Sequence, residues 1–276
     1  MILQEVHDFL DAGLHSVPEL KEIVIGSGFT GVLLSNGDAG ISMNIRRGNA
    51  FRSDDNKNLL TRQVGRNALS VVREMAAFSD TVLTSIRVAL LNALSSPFLD
   101  EAHLGPYDHH ISTDEKISIT ASIKPGDTVT LVGFGGMVRD MAKRASKVYV
   151  TELDTDFCKS MIVNEQGIGT GPTRVEIVHA SKAKDVFNIS DKIFITGSAL
   201  VTHTMEEVLE ICPPTAEVTI YGHTAAFFPL ALFQRGAHRI ETRKVTDAAM
   251  MMDFLKNYGP MVERFFPRAS EEISIR

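Results

Sequence analysis

Hydrophobic positions follow a helical period and then a short extended one in the first third of the chain. Ile2, Leu3, Val6, Leu10 and Leu14 recur at helical spacing with polar residues between them, which predicts an amphipathic helix ending near Gly13. Three short, partly β-branched runs follow at 22–25, 31–35 and 40–45. Asn36-Gly37 between the last two signals a hairpin, because both residues tolerate positive φ, so the runs predict a small antiparallel meander. From 61 to 94 the pattern is helical again. Ser79 or Asp80 is placed to cap a more apolar second helix over 82–94, which should be buried.

A stretch rich in turn formers and His, 95–112, interrupts these patterns, with Pro97, Gly105 and Pro106 breaking regular structure. The boundary falls there: an N-terminal α+β domain over 1–100, a linker over 101–112 and an α/β domain over 113–276. After a short helical piece over 114–123, Lys124-Pro125-Gly126-Asp127 turns the chain into 128–133, an apolar, β-branched run of the kind buried on both faces. Similar runs recur at 147–152, 175–179, 192–197 and 217–222, several separated by helical stretches. That alternation predicts a Rossmann-like, doubly wound parallel sheet. Thr204-Met205-Glu206-Glu207 has the spacing of a capping box, Pro229 suits the first position of a helix, and Gly236 suits its end.

The chain of 276 residues has 28 Lys and Arg against 34 Asp and Glu, and no stretch concentrates its basic residues, which argues against a nucleic-acid partner. Cys158 and Cys212 sit apart in helical patterns without a CxxC, so neither a disulfide framework nor a zinc ribbon is expected. The first residues are acidic where a signal peptide would be basic, and no apolar run reaches the length of a membrane span. A cytoplasmic protein with no membrane partner is expected; a homo-oligomer is left open.

The sharpest motif is the glycine turn Gly133-Phe134-Gly135-Gly136 between a buried strand and a helix. Glycines there permit a sharp turn and let a ligand approach backbone N–H groups. Glu152 lies 19 residues after Gly133, at the end of the next strand, about where a Rossmann domain keeps its ribose-binding acid. The third glycine of the dinucleotide pattern is Val138, which should hold the helix away from the sheet and speaks against ordinary NAD binding. A tight turn with a solvated acid beyond it is the structural alternative.

Two further strand ends carry polar groups: Thr196-Gly197-Ser198, leading to Thr202, His203 and Thr204, and Tyr221-Gly222-His223-Thr224. Ligands of open α/β sheets sit outside the carboxyl ends of strands, so these loops can converge on one crevice. His203 and His223 with Glu152 would suit a divalent transition metal, although no local ligand spacing marks one. His203 can equally be a solvated residue at a helix start. Neither histidine has an orienting carboxylate in the sequence pattern, so no catalytic residue is assigned. His103, His109 and His110 form a rival cluster, but adjacent histidines on an extended chain point to opposite sides. Arg46-Arg47 is an anion-binding or a solvated pair, and Met250-Met251-Met252 reads as packing.

At Ala89-Leu90-Leu91-Asn92-Ala93-Leu94, Val132-Gly133-Phe134-Gly135, Val150-Thr151-Glu152-Leu153 and Thr196-Gly197-Ser198-Ala199-Leu200 the chain resembles the family of putative heavy-metal chelation proteins. The resemblance implies an N-terminal domain shaped like the start of enolase, a Rossmann-like C-terminal domain, and a setting in heavy-metal handling or anaerobic cobalamin metabolism. Relatives commonly carry Asn before the capping Thr, where this chain has His203.

Two functions follow as expectations. The first is binding of a metal ion or metal-containing small ligand in a cleft between the domains, by Glu152, His203, His223 and the glycine turn. Asn92 either lines that cleft or is an internally bonded core residue. The alternative is a transferase using an adenosyl cofactor such as S-adenosylmethionine, with Gly133 to Gly136 cradling it and Glu152 on its ribose. A regulatory or assembly protein with a vestigial crevice is a third reading.

Overall fold

The computed structural model describes residues 1–45, 54–113 and 119–276. Arg46-Arg47 and the start of the helix expected over 114–123 lie outside the described residues, and the remainder of that segment is a short 3-10 turn, Ile119–Ser122.

The first part runs α1 (Ile2–Gly13), β1 (Leu20–Ile25), β2 (Phe29–Leu34), β3 (Ala39–Met43), α2 (Asp54–Thr61), α3 (Ala68–Met75) and α4 (Thr81–Ser95). β1, β2 and β3 form the expected antiparallel meander. α4 starts where its cap dictates, with Asp80 Oδ1 accepting the N–H groups of Val82 and Leu83 at 2.8 and 3.0 Å. Its side chains from Val82 to Ser95 are buried all round. β3 approaches it closely because Gly40 lacks a side chain: a Cβ there would stand 2.1 Å from the Ala89 carbonyl oxygen.

The second part contains α5 (Glu101–Leu104), β4 (Ile111–Ser112), β5 (Thr128–Val132), α6 (Val138–Arg144), β6 (Lys147–Glu152), β7 (Ser160–Asn164), β8 (Gly167–Gly171), β9 (Glu176–His179), α7 (Ala183–Phe187), β10 (Lys192–Thr196), α8 (Met205–Glu210), β11 (Glu217–Tyr221), α9 (Leu230–Phe233), β12 (Arg239–Val245), α10 (Ala248–Asn257) and β13 (Ser270–Ile275). The large sheet has the order β4-β13-β12-β11-β10-β5-β6-β9. From β9 to β12 all neighbours are parallel, and in chain order these six strands read 3-2-1-4-5-6, the Rossmann order. β13 and β4 add an antiparallel edge that the sequence pattern did not predict. β7 and β8 form a separate hairpin where a crossover helix would ordinarily join β6 to β9. Cys158 therefore lies in a turn before β7, and Cys212 in a turn after α8, rather than within helices; both thiols are free.

The capping box is not formed. Thr204 has helical backbone angles and makes no side-chain cap hydrogen bond, its hydroxyl pairing instead with that of Thr202 at 2.9 Å; Glu206, beside the box acid Glu207, accepts the Ile2 N–H at 2.9 Å. Pro229 precedes α9 as its cap, and Gly236 closes the following turn at φ +88°. One continuous core joins the two parts, running from Ile2, Leu10, Leu83 and Leu90 to Phe187, Ile193, Ile220 and Phe227. A second cluster sets Met251 and Met252 of α10 against Phe29 and Ile41 of the meander, which makes that methionine run a packing surface. Among the described residues no single helix is long and apolar enough to cross a membrane.

Candidate functional site

The Rossmann strand order places a topological switch between β5 and β10, where the loops after the two strands diverge. After β5, Gly133 adopts φ +89° and donates its N–H to the Thr151 carbonyl at 3.0 Å. The Phe134 N–H is bound by Glu152 Oε1 at 2.7 Å, and Glu152 Oε2 accepts the Leu153 N–H at 3.1 Å. Gly133, Phe134, Gly135, Gly136 and Glu152 are thus gathered into one corner. Val138, at the place of the third glycine, is buried among Val129, Leu131, Met141 and Val150.

After β10, the Thr196 and Ser198 hydroxyls pair at 2.9 Å. Gly197 lets this turn lie against the turn after β11, since a Cβ there would meet the Ala225 nitrogen at 3.1 Å. Gly222 takes φ +100° and swings the chain into the 3-10 turn His223–Ala225. Tyr221 registers with Thr196 across the two strands, and burial, with a smaller push from the Glu152 charge, keeps its hydroxyl protonated well above the usual range.

Asn92 is the internally bonded residue of the two alternatives. Its amide donates to the carbonyls of Ile41 at 2.8 Å and Thr224 at 3.1 Å, stitching β3 to the turn after β11. The Thr224 hydroxyl accepts the Met43 N–H at 2.9 Å and tightens the same seam. Asn92 Oδ1 is buried without a partner beside a cavity of about 10 Å³, lined also by Arg243 and Lys244 and matched to one water molecule.

His223 lies in this seam, its ring flanked edgewise by Phe29 and Phe266 at centroid distances of 5.6 and 5.0 Å. Its Nε2 stands 3.2 Å from Glu263 Oε1. That hydrogen bond, aided by the charges of His223 and Arg243, holds the Glu263 carboxyl below its ordinary range against its partial burial. An ionised carboxylate can only accept, so Nε2 carries a proton; Nδ1 is buried and without a partner, and in the neutral imidazole it keeps a free lone pair. Glu263 is the orienting carboxylate that the sequence pattern did not reveal: it lies 40 residues on, in the 3-10 segment Gly259–Arg268.

His203 sits elsewhere. Its Nε2 bonds the Thr84 hydroxyl at 3.0 Å, and its backbone has φ +59°. The left-handed region admits His more readily than most residues, which accounts for the backbone that His203 adopts. His203 meets α4 at Thr84 and the His223 turn meets it at Asn92, eight residues on, roughly 12 Å along the axis. Glu152 is engaged by the glycine turn. The three expected ligands thus have three separate sets of partners, and among the described residues no group of three His, Cys, Asp or Glu side chains could hold an ion. The linker histidines are likewise dispersed: His103 on Asp100, His110 on Glu101, and His109 stacked on Phe233. Burial pushes the Cys212 thiol up to about 12 and raises that of Cys158, which disfavours thiolate ligation by either.

Strand order and site together define a Rossmann-ordered α/β protein with a meander-and-helix part packed over its strand ends. The chain belongs to the family described as "Putative heavy-metal chelation": residues 116–273 match one model of that description (DUF364) and residues 8–95 a second (DUF4213). It is similar to a solved protein of unknown function from Pyrococcus horikoshii, with 16% identity, 99% of each chain covered and a TM-score of 0.70. A second such protein, from Desulfitobacterium hafniense DCB-2, shares 16% identity over 99% of this chain and 97% of its own, with a TM-score of 0.69. At this identity both establish the fold. No curated protein matches the sequence.

Proposed function

We propose that the protein handles a heavy or transition metal that reaches it inside a small ligand, with His223 Nδ1 as the donor the protein supplies. The observation that carries this reading is the buried, unpartnered Nδ1 of an imidazole whose other nitrogen is held by a carboxylate. Metal-bound histidines are typically oriented in this way, because the carboxylate fixes the tautomer and raises the basicity of the ligating nitrogen. One protein donor does not make a complete ion site. The remaining donors would therefore come from the ligand, as in a chelate or a metal-bearing macrocycle. Nδ1 is enclosed, so ligation requires Phe29 or Phe266 to give way.

Spectrophotometric titration with a cobalt corrinoid lacking its lower nucleotide, set against free Co²⁺, tests this. The intact protein should shift the corrinoid spectrum as imidazole binds, His223→Ala should abolish the shift, and Glu263→Gln should weaken binding about 10–100-fold. Equal binding by His223→Ala overturns the role of that residue. Tighter binding of free Co²⁺ than of the corrinoid overturns the pre-chelated ligand.

A further inference from the structure

The corner between β5 and β6 is separate from the His223 seam and has its own chemistry. Glu152 is fixed at its rim by two backbone N–H groups, from Phe134 and Leu153. Each carboxylate oxygen has a further lone pair for a ligand hydroxyl. Gly135 and Gly136 face open space, since a Cβ built on either meets nothing within 4 Å. The turns that hold the carboxylate also carry exposed apolar side chains: Phe134 is 42% exposed, Leu153 53% and Phe157 88%. Toward the switch point the corner continues into the Thr196 and Ser198 hydroxyls and the half-buried Tyr221.

The charge at this corner selects among ligands. Residues 133–138, 152–158 and 196–204 include no Lys or Arg, yet bring Glu152, Asp154 and Asp156. The adjoining Lys159 lies 3.9 Å from Asp156, while Arg139 at the start of α6 is exposed and the neighbouring Asp140 pairs with Lys143 at 2.9 Å. The Phe134 N–H that would greet a phosphate is already taken by Glu152. A phosphate at this N–H would meet the Glu152 carboxylate, with the exposed Arg139 as the cation of the adjoining helix start, which disfavours nucleotides against uncharged or cationic ligands.

We infer that this corner binds a phosphate-free nucleoside, neutral or carrying a positive sulfonium or amino group, with Glu152 on the ribose hydroxyls and the base laid against Phe134, Leu153 or Phe157. The inference does not depend on the metal reading.

Calorimetric titration of the full chain with adenosine, S-adenosylmethionine and ATP is the test. Adenosine and S-adenosylmethionine should bind, ATP roughly tenfold or more weakly, and Glu152→Ala should cost about 10–100-fold in affinity. Gly136→Leu keeps the titration decisive should Glu152→Ala fail to fold, because its side chain enters open space without straining the turn yet blocks the ligand. His223→Ala should leave nucleoside binding unchanged. Failure of all three compounds to bind, ATP binding as tightly as adenosine, or full affinity in both corner variants would overturn the inference.

Discussion

Around α4 the chain packs backbone against backbone. Gly40 lets β3 touch the helix, Gly197 lets two strand-end turns touch each other, and Asn92 ties the meander to the turn after β11. Around the β5–β6 corner the same sheet does the opposite: Gly135 and Gly136 face open space, and apolar side chains stand in solvent. In the seam glycine is a packing residue whose replacement collides with protein. At Gly135 and Gly136 its replacement meets no protein atom within 4 Å. The same residue type thus reports structure in one region and a candidate site in the other.

Substitutions sharpen this contrast. Gly40→Val should be the most damaging, lowering stability by about 3 kcal/mol or more, because its side chain would run into the Ala89 carbonyl and the Ala93 nitrogen. Chemical denaturation measures it, and a cost below that of an ordinary surface change would break the comparison. Asn92→Ala should cost about 1–3 kcal/mol, since it strips buried carbonyls of Ile41 and Thr224 of their donor. In the same assay Gly136→Leu should stay within about 0.5 kcal/mol of the parent.

A small, pH-dependent effect is expected at the outer edge of the seam, where Arg235 of the turn after α9 grips Glu5 of α1 at 2.5 and 2.8 Å. That bond holds the Glu5 carboxyl at about 2, below its ordinary value of 4.5. A depressed carboxyl contributes stability that is present above the unfolded value and is lost as pH falls from about 4.5 toward 2. Glu5 is 40% exposed, so solvent screening limits the contribution to at most about 1 kcal/mol. Acid titration of stability should show a loss in that window for the parent, and Arg235→Ala should flatten it; an unchanged slope would remove Glu5 from the account.

The meander, α4 and strands β5, β6, β9, β10 and β11 were legible because their residues are apolar or β-branched in continuous runs or bounded by clear turn and cap residues. β12 was not, since Arg239, Glu241, Arg243 and Lys244 look like a solvated surface. The fold accommodates them by pairing: Arg239 with Glu241 at 2.6 Å on the same strand, and Arg243 with Glu272 across to β13. Such pairing is invisible until the strands are placed side by side. The β7–β8 hairpin, carrying glycines and exposed Met161, Val163 and Ile168, offers neither a helical period nor a buried face.

The candidate sites divide in the same way. Gly133 and Glu152 were legible because both sit at strand ends within one βαβ span. The His223–Glu263 pair was not, since the carboxylate arrives from a 3-10 segment with no periodic signature. The capping-box spacing at Thr204 misled because a local motif competes with other partners: the Thr204 hydroxyl pairs with that of Thr202 and makes no cap hydrogen bond.

The segment between the two parts ends as a strand of the sheet it leads into. Ile111 registers with Ile275 and Ser112 with Ser274, while His110 and Arg276 exchange reciprocal backbone hydrogen bonds. A connector clasped to the final strand transmits torque and cannot act as a loose hinge. Swinging the parts wide enough to admit a bulky guest would mean unzipping that clasp as well as parting a shared core. Entry to the seam by local breathing of side chains and short turns is mechanically cheaper, so access there should be slow and sensitive to the size of what enters.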